Sequence, residues 1–128
     1  MLRQIQPVQD SFVTSNVGTN LIMKACGFIE GQQARITAVS EGYLKLDLGH
    51  NWLRRLLYNV GNLKPVAVEL HFRDVNEEDR SQSQHMPDVD CSWVKVSIVP
   101  GSSGWSEDQF AEASRQILWK LRYHFMAF

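Results

Sequence analysis

Period-two alternation recurs at four places along the chain and restricts its fold more than any other feature. Val66, Val68, Leu70 and Phe72 alternate with Ala67, Glu69, His71 and Arg73. Val94, Val96 and Ile98 alternate with Trp93, Lys95, Ser97 and Val99. Leu44, Leu46 and Leu48 alternate with Tyr43, Lys45 and Asp47, and Ala34, Ile36 and Ala38 with Arg35, Thr37 and Val39. Successive side chains of a strand point to opposite faces, so each run predicts a strand with one buried face. Ser40-Glu41-Gly42 joins the 34–39 run to the 43–48 run, and Gly42 can take a positive φ. An antiparallel hairpin follows.

Helical spacing occupies the intervals. Val17, Leu21, Ile22 and Ala25 share a face, which predicts a helix over 16–26 ended by Gly27, with Phe28 packing back. Trp52, Leu53, Leu56, Leu57 and Val60 form a second stripe, capped by His50 or Asn51 and ended by Gly61 and Pro65. Ser106 followed by Gln109 is a capping box that opens a long terminal helix. Phe110, Ile117, Leu118, Leu121, Phe125 and Phe128 make its core stripe. Residues 1–14 show no clear period, and Pro7 argues against a helix there. The expected fold is one α+β domain over 1–128. Its antiparallel sheet has about four or five strands packed against helices. The order is α-β-β-α-β-β-α, with a long C-terminal helix.

Composition narrows the function classes. The net charge is −1, so no global field favours nucleic acid. The acidic excess is local: residues 66–105 hold three basic and seven acidic side chains. Most of it falls in 74–90, which has no period and predicts an exposed acidic loop. No apolar run approaches the ~18 residues of a membrane span, and Met1-Leu2-Arg3-Gln4 opens no signal-peptide core. Cytoplasm is the expected location and no membrane partner is expected. A domain of this size needs no disulfide, so Cys26 and Cys91 are expected as buried free thiols.

Reactive side chains do not assemble into a known chemistry. Ala38-Val39-Ser40-Glu41-Gly42 lacks the first glycine of a nucleophile elbow and sits at a hairpin turn. Gly101–Gly104 precedes a helix but lacks a phosphate-loop lysine, and Glu107 and Asp108 would repel an anion there. His85, Asp88, Asp90 and Cys91 match no compact zinc spacing. The stretch from Asp74 resembles a calcium loop only at its start, since Asp79 stands where glycine is needed. His71 falls on the polar face of its strand, and His124 at the core edge of the last helix. No cofactor, metal site or catalytic residue is assigned.

Residues 34–48 resemble a strand-turn-strand stretch of two families, the hotdog-fold thioesterases and the PilZ cyclic-dinucleotide receptors. The likeness consists of the alternation and Ser40-Glu41-Gly42. No His-Gly-Gly follows to begin a hotdog helix. Ala38 and Tyr43 depart from the PilZ pattern, and no functional residue is transferred.

One surface stands out. On a wheel of 100° per residue, Trp119, Tyr123 and Met126 lie opposite the core stripe of the last helix, bordered by Arg115 and Arg122. Trp, Tyr and Arg are the residues most enriched at binding hot spots. A helix apolar on two faces needs two partners. The sheet is one. The other is a second subunit, another protein, or residues 1–14 of the same chain. The leading expectation is a non-enzymatic binding or adaptor module, a homodimer through its C-terminal helix. Two alternatives accompany it: a small-molecule-binding protein or small enzyme with a cavity between sheet and helices, and a weak nucleic-acid binder using Arg54 and Arg55.

Overall fold

A computed structural model describes residues 5–32, 34–49, 65–82, 87, 89–102 and 104–127. Its strands are β1 (Val8–Thr14), β2 (Arg35–Ser40), β3 (Tyr43–Leu48), β4 (Val66–Asp74) and β5 (Ser92–Pro100). Its helices are α1 (Gly18–Gln32), α2 (Glu77–Gln82) and α3 (Glu107–His124). The five strands form one antiparallel sheet in the order β1-β5-β4-β3-β2. The fold is the expected α+β arrangement. The helix expected after Leu48, with Arg54 and Arg55, lies outside the described residues.

The alternation works as predicted in the three central strands. Leu44, Leu46 and Leu48, then Val66, Val68 and Leu70, then Val94, Val96 and Ile98, are all buried. Each occupies the same sheet face because the register aligns them, Leu46 opposite Val68 and Val68 opposite Ile98. Leu21, Ala25 and Phe28 of α1 and Phe110, Ala113, Ile117 and Leu121 of α3 complete the core over that face. Glu69, His71, Lys95, Ser97, Tyr43 and Lys45 take the opposite face.

Three expectations about the order and extent of the elements need correction. The element order begins with a strand, because residues 8–14 add β1 to the sheet edge. Its burial alternates, but Asp10 stands among Val8, Phe12 and Thr14 on the helix-covered face. Asp10 is tolerated there because Arg122 of α3 reaches it with two hydrogen bonds, 3.0 and 3.1 Å. Second, α1 does not stop at Gly27. Glycine inside a helix costs about 1 kcal/mol, whereas burying a Phe side chain is worth about 1.5–3 kcal/mol. Phe28 is buried, and its ring meets His124 edge-on at 5.4 Å. His124 also bonds the Lys24 carbonyl at 2.7 Å, so α3 holds α1 on both sides of Gly27.

Third, the acidic stretch holds a helix, α2, where only loop was expected. Asn76 and Asp79 cap it reciprocally: the Asp79 N–H donates to Asn76 Oδ1 at 2.8 Å, and the Asn76 N–H to Asp79 Oδ2 at 2.9 Å. Arg80 then ties the helix to the carbonyls of Pro87 and Val89.

The end of α3 is fixed to β1 by a buried polar knot. The Thr14 hydroxyl donates to the Phe125 carbonyl, and the Asn16 side-chain amide donates to the same oxygen at 3.0 Å and to Thr14 Oγ1 at 2.9 Å. Both side chains are buried, so breaking the set strands polar atoms away from water. Thr14→Val is expected to cost about 1–3 kcal/mol, read as a lower urea midpoint with an unchanged slope.

Candidate interaction surface

The rotational setting of α3 decides which side chains it offers to solvent. At its start, the Ser106 hydroxyl accepts from the Gln109 N–H at 3.1 Å, with Glu107 and Asp108 placed to suit the positive helix end. Trp105 is buried beside it, donating from its indole N–H to the Pro65 carbonyl at 3.1 Å and meeting Phe110 edge-on at 5.8 Å. At the other end, Phe125 is fully buried and its carbonyl is held by Thr14 and Asn16. With Ile117 and Leu121 at zero exposure between these anchors, Trp119 is about 160° from either, on the outer face.

Trp119, Tyr123 and Met126 are 61%, 75% and 54% exposed. The two rings stack one helical turn apart, centroids 5.8 Å and planes 14° from parallel. The Lys120 ammonium lies 5.6 Å from the Trp119 centroid. Arg115 borders the patch, held by Glu112 through Nε–H to Oε2 at 3.0 Å and through a second N–H to Oε1. Gln116 donates to the same carboxylate at 3.0 Å. Those bonds, Arg115 first, hold the Glu112 carboxyl below its usual range. Arg122 behaves differently. It binds Asp10 and the Ser11 carbonyl, with its guanidinium 5.5 Å from the Phe12 ring centroid. It fastens α3 to β1. Of residues 1–14, expected as a possible cover for these aromatics, 8–14 form the sheet edge and 1–4 lie outside the described residues.

A second apolar surface was not evident from the sequence. The β2–β3 register shifts between Ile36 and Ala38, so Ile36 pairs with Leu46 and Val39 with Leu44. The bulge therefore turns Ile36 and Val39, not Ile36 and Ala38, to the helix-covered face. Both are exposed, as is Ile22 of α1. Together with Cys26, Ile29 and Phe72 they line a groove of about 690 Å³ between α1 and the hairpin. Cys26 is a free, exposed thiol, contrary to the buried state expected. Cys91 is free and buried.

The other candidates resolve into structural roles. The Gly101 N–H donates to the Pro65 carbonyl at 2.8 Å, and a Cβ there would meet Pro65 at 2.9 Å, so Gly101 is closed on the chain. Gly42 turns the hairpin with φ 70°, its Cα facing the Phe72 carbonyl. His71 lies beside the Tyr43 ring at 4.8 Å on the open sheet face. His85 and Asp88 lie outside the described residues. Among the described residues, no three His, Cys, Asp or Glu side chains form a metal-binding group, and no helix is long and apolar enough to cross a membrane.

Among the described residues, Asp79 is the carboxylate whose charge is most strongly held. Arg73 meets it with two bonds, 2.8 and 3.0 Å. That pairing, then the Asn76 N–H, pushes its carboxyl far below the ordinary range. Comparison with protein-family models, with curated proteins and with solved structures finds no match to this chain.

A depressed carboxyl pKa stabilises the fold above the unfolded value of about 4. That stabilisation is lost as pH falls toward the folded value. Asp79→Asn retains an oxygen for the cap and removes the charge. Its thermal midpoint is expected to fall less steeply than the wild type's as the solution is taken below about pH 4.

Proposed function

We propose that this protein is a non-enzymatic binding module that self-associates as a homodimer through the outer face of α3. The observation that supports it is the stacked, exposed Trp119–Tyr123 pair, with Met126, on a helix whose opposite face is wholly in the core. Side chains of this size are worth roughly 1.5–3 kcal/mol each when buried. Stacking on a helix has already limited their rotamer freedom, which lowers the ordering cost of association. Aromatic residues grouped at the centre of a patch, with polar side chains around them, have the layout of an interface hot spot. Glu112, Arg115 and Lys120 supply that polar surround. Closed two-fold dimers are the commonest assemblies of identical chains, and a surface on one straight helix is easily made to face its own copy.

Trp119 and Tyr123 contribute little to the monomer's core, which separates association from folding. The wild type is expected to have the mass of two chains by light scattering. Trp119→Ala combined with Tyr123→Ala is expected to have the mass of one chain with an unchanged circular dichroism spectrum. A wild type with the mass of one chain contradicts the proposal.

A further inference from the structure

We infer that the two copies meet with their α3 helices antiparallel about a two-fold axis at Trp119, each completing the other's aromatic patch with its Arg115. The inference rests on the self-association proposed above and adds the arrangement of the partner. Glu112, Arg115, Trp119 and Tyr123 run along one outer stripe of α3 at spacings of three and four residues, and the exposed Met126 follows just past the helix end, with φ 52°. The stripe is arranged around Trp119. Arg115 and Tyr123 stand four residues to either side of it, and Glu112 and Met126 seven. Antiparallel packing about that centre therefore sets Arg115 of one copy against Tyr123 of the other, and brings Glu112 to the end of the other helix, where Met126 follows, at both ends of the contact.

Charge decides between the two possible directions. Parallel helices would set Arg115 against Arg115 and Glu112 against Glu112, which opposes association. The antiparallel arrangement brings no like charges together on this stripe. It also uses what the single chain leaves open. Glu112 engages Nε and one terminal nitrogen of Arg115, which fixes the guanidinium plane. The remaining terminal nitrogen has no hydrogen-bond partner among the described residues. A guanidinium held in this way offers a flat cationic face to an aromatic ring and one N–H to a phenolic oxygen. Tyr123 of the second copy provides both. The two Trp119 rings meet at the axis, where an offset stack of two identical rings is favourable.

Cross-linking in trans distinguishes the arrangements. In a Cys26→Ser background, Glu112→Cys copies are mixed with Met126→Cys copies and treated with a short bis-maleimide, a reach suited to helices 8–10 Å apart. A covalent dimer is expected in the mixture and in neither protein alone. Cross-linking of each protein to itself, without a mixed product, overturns the antiparallel geometry. So does a two-chain mass by light scattering with no cross-link at all; in either case self-association survives. A one-chain mass for the same proteins, with no cross-link, removes both readings.

Discussion

The position of α3 on the sheet is set by one backbone oxygen. The Phe125 carbonyl, at the end of the helix, receives the Thr14 hydroxyl and the Asn16 amide, all three in the interior. A buried carbonyl needs a partner, and here the partners lie 111 and 109 residues away in sequence. One turn earlier, the Arg122–Asp10 pair fixes the same helix to the same strand. The Trp105–Pro65 bond fixes the other end. With both ends held, α3 cannot rotate about its axis. Ile117 and Leu121 must face inward, and Trp119 and Tyr123 outward. The exposed aromatic patch is a consequence of how the fold is closed.

The parts of the fold legible in the sequence are those whose pattern and burial have a single cause. In β3, β4 and β5 the alternating apolar residues face the core, so alternation marks the core face directly, with Ala67 of β4 buried on the other side. The same holds for α3, where Ser106 also marks the start. Legibility fails where a distant partner changes what a position tolerates. Asp10 breaks the apolar rhythm of β1 and is stable there only through Arg122. Gly27 looks like a helix end, and Phe28 and His124 hold the helix together beyond it. α2 has no apolar stripe and owes its place to the Asn76–Asp79 cap and the Arg73 pair.

The candidate surface divides in the same way. That Trp119 and Tyr123 share an outer face follows from helical geometry alone, whereas Met126 is exposed beyond the helix end, where the backbone turns left-handed. That Arg122 is occupied by Asp10 and Arg115 by Glu112 could not follow from helical geometry: both arginines border the same stripe in sequence, and only their surroundings separate them. The groove beside β2 depends on a one-residue bulge, and a slip of one residue reverses every side chain beyond it. Nothing in Ala34–Ser40 announces that slip.

The central claim is that Trp119 is open in a single chain and covered when two chains meet. Oxidative footprinting of Trp119 across a dilution series measures this on the unmodified protein. If α3 is the meeting surface, Trp119 is protected at high concentration and becomes labelled on dilution, while buried Trp105 stays protected throughout. Labelling of Trp119 to the same extent at every concentration would contradict it.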